Sequence, residues 1–339
     1  MSAASIHFAE LSVLVIGAGS IGRRHMSNLR NLGVRRLAAV DPDSSRLQTV
    51  GAQFAVETFE DLELALEKMK PDVVFVCTPP VLHVPQGLRA IRAGADVFIE
   101  KPLSNSLECV PTLKAEAATH RRVVQVGYNF RFQPGILTLK RLVEAGVVGR
   151  ILWARVEVAQ YLPEWRPWQD YRLSYTARRE LGGGIILDAS HQIDFLLWLL
   201  GPPRELTCMA GKVSALDVDV EDCATILIRF QSGAQGDIHM DFAQRTRSCT
   251  CLLAGDRARL EWDYLRNEVR ILRPGAPDEI VSYEFEANQM YVSEIEDFFS
   301  RIARRSISQE SLAESELALE VALGALRSAS ERKWVSFEH

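Results

Sequence analysis

The stretch VLVIGAGSIG, Val13–Gly22, decides how the rest of the chain is read. Four consecutive apolar residues, Val13 to Ile16, stop at a glycine. That fits a strand buried on both faces, the kind found in parallel sheets. Gly17, Gly19 and Gly22 then form G-x-G-x-x-G, and SIGRRHMSNLRNLG carries a helical pattern closed by Gly33. Such a glycine triplet arises by chance in many chains, but at the junction of strand and helix it has the context a dinucleotide loop requires. Gly17 permits the tight turn, Gly19 lets backbone approach a pyrophosphate, and Gly22 lets the helix lie close to the sheet. The helix start at Ser20 and Ile21 offers amide donors and the positive end of the helix dipole to phosphates.

Outward from this loop the pattern repeats. RRLAAVD is a second strand ending in Asp41, 19 residues beyond Gly22. A carboxylate there accepts from the adenosine ribose hydroxyls and repels a 2′-phosphate, which favours NAD over NADP. Arg46 is near enough in sequence to blunt that preference. DVVFVCT is another strand, and Thr78, Pro79 and Pro80 follow at the carboxyl edge of the sheet, where ligands bind in such folds. His83 opens the next helix, as a cap or a ribose-side contact. DVFIE and RVVQVGY are strands, and SLECVPTLKAEAATH is helical with Pro111 inside it. Repeated β-then-α units predict a doubly wound parallel sheet over residues 1–128.

A second, α/β domain is expected over residues 129–339. Beyond Gly149 the strands lengthen and alternate, as in ILWARVEVAQY, CATILIRF and SCTCLLAG, with turn pairs such as Ser232-Gly233 between them. This predicts a large open, mainly antiparallel sheet. A helix over ILDASHQIDFLLWLLG interrupts it, and two further helices close the chain. An open apolar sheet face needs cover, which points to self-association.

The bulk numbers narrow the function classes. The chain has 339 residues and net charge −5, with scattered Lys and Arg, so nothing argues for nucleic acid or an anionic membrane. MSAASIHFAE shows no secretory leader, and the greasiest run is broken by Asp188, His191, Gln192 and Asp194. Six cysteines without a C-x-x-C pair fit reduced thiols in a cytoplasm and no metal site.

The chemistry gathers in a few places. VFIEKPLS, Val97–Ser104, sets Glu100 and Lys101 directly after a buried strand. A solvated lysine, with a pKa of about 10.4, is a poor base at neutral pH. Desolvation beside a cofactor, and the positive nicotinamide ring, would both lower it. Lys101 then reads as the proton shuttle of an alcohol oxidation, against a surface lysine that only pairs with Glu100. His191 can hold or pass a proton near neutrality, and the preceding Gly182-Gly183-Gly184 lets backbone approach a ligand. In GYNFRF, alternation puts Tyr128, Phe130 and Phe132 on one face and Asn129 and Arg131 on the other, if the strand continues that far. Arg131 is either a clamp for an anionic substrate or half of a salt bridge between domains. The proline-broken stretch Tyr161–Gly184 carries Trp165, Tyr171 and Tyr175 among arginines. It suits a sugar ring with an acidic or phosphorylated substituent, or else a packed loop or oligomer contact.

Taken in order, GAGSIGRRH, TPPVLHVPQGLRAIRAGADVFIEKPL, GYNFRF and GGGIILDASHQID resemble the glucose–fructose oxidoreductase/inositol dehydrogenase/MocA (Gfo/Idh/MocA) family over nearly the whole chain. The resemblance implies a Rossmann domain followed by a domain with a large open sheet. It implies an NAD(P)-dependent oxidoreductase that moves hydride between the nicotinamide and a hydroxyl of a sugar, a sugar derivative (nucleotide sugars included) or a cyclitol. Two alternatives stand beside it: a glycoside hydrolase that retains NAD and oxidises transiently, and a non-catalytic cofactor-binding protein. The family's motif lysine, which serves in acid/base catalysis, falls on Lys101, and Lys101–Pro102 is then expected to be cis. The family's Asp and His fall on Asp188 and His191, but many members space them D-x-x-x-H, one residue longer than here. Homodimers or homotetramers are implied as well.

Overall fold

The structure, a computed structural model, describes residues 8–305 and 310–337. Residues 1–7, the start of the segment read above for a leader, lie outside the described residues. The chain divides into two units, the described parts of Met1–Tyr128 with Tyr291–Glu316, and of Asn129–Met290 with Leu317–His339. The sequence reading assigns everything after residue 128 to the second domain. In the structure Tyr291–Glu316 packs with the first unit instead.

In the first unit the strands are β1 (Ser12–Ile16), β2 (Arg36–Val40), β3 (Glu57–Phe59), β4 (Val73–Val76), β5 (Asp96–Glu100) and β6 (Val124–Gly127). They form one parallel sheet in the order β3-β2-β1-β4-β5-β6. The order reverses between β1 and β4, so the carboxyl ends of those two strands flank the crevice where ligands bind in open α/β sheets. The helices are α1 (Ser20–Asn31), α2 (Ser44–Phe54), α3 (Leu62–Met69), α4 (Pro80–Arg92) and α5 (Val110–Thr119). Pro111 falls in the first turn of α5, not its interior, because the helix starts only at Val110. A proline is tolerated there, where its missing N–H has no helical partner. The short strand β3 has no apolar alternation of its own and is missed by pattern reading.

The second unit carries α6 (Pro134–Glu144), β7 (Ile151–Ala159), the single turns α7 (Leu162–Trp165) and α8 (Ile185–Asp188), and α9 (Ser190–Leu200). Strands β8 (Pro203–Gly211), β9 (Cys223–Phe230), β10 (Gln235–Asp241), β11 (Ser248–Gly255), β12 (Arg259–Asp263), β13 (Glu268–Leu272), β14 (Glu279–Ser282) and β15 (Val335–Ser336) follow. With β7 they make a nine-stranded sheet, order β14-β13-β12-β11-β7-β10-β9-β8-β15. It is antiparallel except that β10 runs parallel to β7. Burial alternates along β9 and β12, so one face is packed. Ala154, Val156, Ile226, Ile238, Leu253, Leu260 and Trp262 are among its fully buried side chains.

Two long helices complete the chain, α10 (Ala287–Ala303) and α11 (Glu310–Glu331). From Tyr291 on, α10 lies in the first unit. Ile295, Phe298 and Phe299 join Val13, Val15, Phe75 and Phe98 in its core. Each buried Phe contributes about 1.5–3 kcal/mol relative to an exposed one, enough to hold this late segment on the early sheet. Among the described residues, no helix is long and apolar enough to cross a membrane.

Candidate active site

The glycine loop follows from local crowding. Gly17 has φ +97°, and a Cβ there would sit 2.6 Å from the Cys77 carbonyl oxygen at the end of β4. A Cβ on Gly22 would sit 1.9 Å from the Gly17 carbonyl oxygen. The fold itself therefore demands both glycines. Gly19 differs, since a Cβ there would meet nothing within 4 Å. It is also the N-cap of α1, with no side-chain cap for the first-turn amides. An uncapped helix start beneath open space is what a pyrophosphate needs, so these residues fit a dinucleotide.

Asp41 is buried at the end of β2. Its Oδ2 accepts from the Ala18 amide at 2.8 Å and its Oδ1 from the Asp43 amide at 2.9 Å. Asp41 thus holds the glycine loop. Arg46 Nη1 stands 3.7 Å from Asp41 Oδ2 on a half-exposed side chain. An ion pair of that length is weak and screened by salt.

Thr78 and Pro79 lie at the end of β4, and Pro80 opens α4. His83 is fully buried, with Nδ1 2.7 Å from the Pro102 carbonyl oxygen and Nε2 2.7 Å from that of Thr78. Its ring ties the loop after β4 to the turn after β5. Burial lowers its pKa against the pull of those two carbonyls. Both nitrogens face main-chain carbonyls, so His83 braces the two loops it joins.

Lys101 follows β5 at the same sheet edge as the glycine loop, because β1, β4 and β5 run parallel. The Lys101–Pro102 bond is cis. The Lys101 amide donates to Glu100 Oε2 at 3.2 Å. Glu100 Oε1 lies 2.6 Å from Nε2 of His25, which is fully buried on α1. Glu294, from α10, is also fully buried, and its carboxylate lies with the His25 and Glu100 ligand atoms inside a 4.8 Å cluster. Sequence reasoning missed His25 and Glu294. One signal was present: Met290, Glu294 and Phe298 recur every four residues, an acid on an otherwise apolar stripe.

In the second unit, Asp188 ends α8 and His191 lies in the first turn of α9, with a break at Ala189 between them. The expected continuous helix is therefore two pieces. The Tyr175 hydroxyl donates to Asp188 Oδ1 at 2.5 Å, and the Thr176 hydroxyl to Oδ2 at 3.4 Å. The His191 ring lies 4.9 Å from that of Phe130, centroid to centroid. The glycine run before α8 is demanded by the chain. A Cβ on Gly183 would sit 2.1 Å from the Tyr175 carbonyl oxygen, and one on Gly184 2.2 Å from Glu221 Oε1. Its reading as room for a ligand gives way to a packing reason.

GYNFRF does not continue as a strand. β6 ends at Gly127, and Asn129–Phe132 form a 3₁₀ turn, so the two-residue alternation does not apply. Tyr128 and Asn129 are both buried. Arg131 makes a two-pronged ion pair with Asp194, Nε to Oδ2 at 2.9 Å and Nη2 to Oδ1 at 2.7 Å. Both partners belong to the second unit, so this is not a bridge between domains. Trp165 donates from Nε1 to the Gln160 carbonyl oxygen at 3.0 Å and packs edge-on against Phe242. The Tyr171 hydroxyl accepts from the Asp217 amide at 3.1 Å. Of the three aromatic residues singled out from this loop, Tyr175 alone touches Asp188 in these contacts, and Trp165 and Tyr171 brace the loop.

A parallel sheet with an open glycine loop at its switch point and a lysine on the same edge defines a dinucleotide-dependent oxidoreductase. Residues 11–128 match the profile described as "Oxidoreductase family, NAD-binding Rossmann fold", and residues 136–261 that of the "GFO/IDH/MocA C-terminal domain". The chain belongs to the Gfo/Idh/MocA oxidoreductase family. It is 27% identical to the myo-inositol 2-dehydrogenase of Thermotoga maritima over 96% of this chain and 98% of that protein. It is 30% identical to inositol 2-dehydrogenase 3 of Saccharopolyspora erythraea over 67% of this chain and 65% of that protein's length. A levoglucosan dehydrogenase solved with NADH and levoglucosan shares the fold, with TM-score 0.86 and 21% identity over 97% of this chain and 100% of that one.

Proposed function

We propose that the protein is an NAD-dependent dehydrogenase acting on a hydroxyl of a cyclitol, a sugar or a sugar derivative, nucleotide sugars included. The observation that carries the reading is Lys101, set at the cofactor edge of the sheet with its amide held by Glu100. Relatives that are inositol dehydrogenases support the substrate class. When bound, a nicotinamide would supply the hydride acceptor. Lys101 takes the hydroxyl proton as hydride leaves the same carbon, and returns it in the reverse direction. Asp188, oriented by Tyr175 and Thr176, and His191 beside Phe130 hold the sugar hydroxyls. Gly19, Ser20 and Ile21 hold the pyrophosphate, and Asp41 the adenosine ribose.

A panel of inositols, free sugars and nucleotide sugars, followed at the absorbance band of reduced nicotinamide, tests this. One NADH is expected per substrate oxidised. Cleavage of a glycoside with no net NADH would overturn the assignment in favour of a hydrolase, and no turnover on any of them would count against it.

Asp41→Ala is expected to weaken NAD and raise the NADP-to-NAD preference, because it removes both the ribose acceptor and the charge that repels a 2′-phosphate. Titration calorimetry with both dinucleotides checks this. An unchanged ratio would show that Asp41 serves only to hold Ala18.

We also place the protein in the cytoplasm, since its six cysteines are free thiols. Burial pushes Cys208 and Cys249 up to about 12, so these thiols are protonated and inert at neutral pH. We read it as a homodimer or homotetramer, with Trp153, Met209, Leu227 and Trp334 exposed on the nine-stranded sheet as the self-association face.

A further inference from the structure

Three residues far apart in sequence meet behind Lys101. His25 reaches in from the helix that opens the glycine loop, Glu100 ends β5, and Glu294 comes from α10. All three are buried, and Phe75, Phe98 and Tyr291 surround the His25 ring at 5.3, 5.3 and 6.2 Å. His25 and Glu100 bond each other. Among the described residues, neither carboxylate oxygen of Glu294 has a hydrogen-bond partner, and neither has His25 Nδ1. A bare carboxylate in such a place costs several kcal/mol, so something must neutralise it.

A metal ion and a proton are the two ways to do so. The geometry favours the proton. Two ligands on one ion, each at about 2.1 Å and near the tetrahedral angle, stand roughly 3.4 Å apart. His25 Nε2 and Glu100 Oε1 are only 2.6 Å apart, closed on a hydrogen. Desolvation and the nearby Glu100 charge both push the Glu294 carboxyl upward, toward the neutral acid.

We propose that Glu294 is a positioning residue for Lys101, standing as a neutral acid in the same 4.8 Å buried cluster as the Glu100 carboxylate that holds the Lys101 amide and bonds His25. The arrangement fixes the lysine's strand end against α1, the helix whose N-terminus takes the pyrophosphate. This rests on the reading of Lys101 as the acid/base group. The other titratable or charged groups about the Glu100–Glu294 pair are His25 and Arg24 on α1, the Cys77 thiol after β4, which faces both carboxyls, and His83 on α4 and Lys101, which lie on the Glu100 side. Arg24 lies over the Tyr291 ring, one turn from Glu294, and burial with the two carboxyls keeps Cys77 a thiol.

The sign of the pH effect follows. The folded state favours protonated Glu294, so its contribution is intact at low pH. It is lost as pH rises through the raised pKa and a second charge appears beside Glu100. Glu294→Gln keeps the shape and a neutral donor but cannot ionise. It is expected to keep kcat near wild type at neutral pH and to lose part of the alkaline fall in kcat. Glu294→Ala is expected to lower kcat about tenfold, the low end of what a misplaced acid/base group costs, with the KM for NAD little changed. The Lys101 amine is followed separately by acetic anhydride labelling and mass spectrometry, which needs no turnover. Labelling of Lys101 in Glu294→Ala is expected to differ from wild type, and in Glu294→Gln to match it. Unchanged labelling and kcat in a folded Glu294→Ala would overturn the proposal. So would a glutamine variant with the wild-type alkaline limb, or a stoichiometric divalent ion whose chelation abolishes activity. If the alanine variant does not fold, the alkaline limb of the glutamine variant decides. Altered labelling alongside full turnover by Lys101→Ala would sink the acid/base reading alone.

Discussion

Replacing Lys101 by alanine is expected to lower kcat by about 10²-fold or more, the range that positioned proton transfer contributes, while NAD affinity stays nearly unchanged. The two effects separate under the proposed reading, which gives the dinucleotide contacts chiefly to the Gly17–Gly22 loop and Asp41 and the substrate proton to the Lys101 amine. Lys101→Arg is expected to be as impaired as the alanine variant. A guanidinium keeps the positive charge but does not give up its proton in proteins. Steady-state rates with the substrate found by the panel, together with calorimetric titration of NAD, make the measurement. Full turnover in Lys101→Ala would refute the base assignment. A loss confined to NAD affinity would recast Lys101 as a cofactor contact.

The second large effect is expected at Gly22. Its replacement by alanine drives a methyl group to 1.9 Å from the Gly17 carbonyl oxygen, a main-chain atom that cannot swing aside. Helix α1 must then shift away from the sheet. Overpacking of this kind costs about 1–3 kcal/mol in stability, and the displaced helix start weakens NAD about tenfold or more, since 1.4 kcal/mol is a factor of ten. Gly19→Ala is the control. Its methyl meets no protein atom within 4 Å, so thermal stability is expected to stay at the wild-type value while NAD binding alone weakens. Equal loss of stability in both variants would show that Gly19 serves the fold rather than a ligand.

The sequence carried much of the first unit in readable form. Val13–Ile16, the three glycines, Asp41 at the end of β2 and Lys101 at the end of β5 stand where the pattern puts them. Each is encoded within one strand–turn–helix, and local sterics decide such a unit. Reading was weaker where long-range packing chooses between local options. GYNFRF alternates as a strand does, but Asn129–Phe132 turn instead, with Phe130 packed against His191, Phe195 and Trp262. Arg131 has one sequence signature whether it clamps a ligand or a carboxylate of the chain. The position of Asp194, 63 residues away, settles its pairing in the fold. The glycine run at 182–184 looks like a ligand approach until Glu221 is placed beside Gly184.

By itself the sequence determined most of the succession of elements, the dinucleotide loop, the family and the place of Lys101 directly after β5. Those features rest on periods of two or 3.6 residues and on short contiguous motifs. Only the tertiary structure decided that Glu294 stands with Glu100 and His25, that Asp188 is oriented by Tyr175, and that the segment from Tyr291 packs on the first sheet. The reason is physical. A helix such as α10 carries an apolar stripe that any complementary face can bury, and nothing within its own turns records which sheet that will be or which buried charge will wait there.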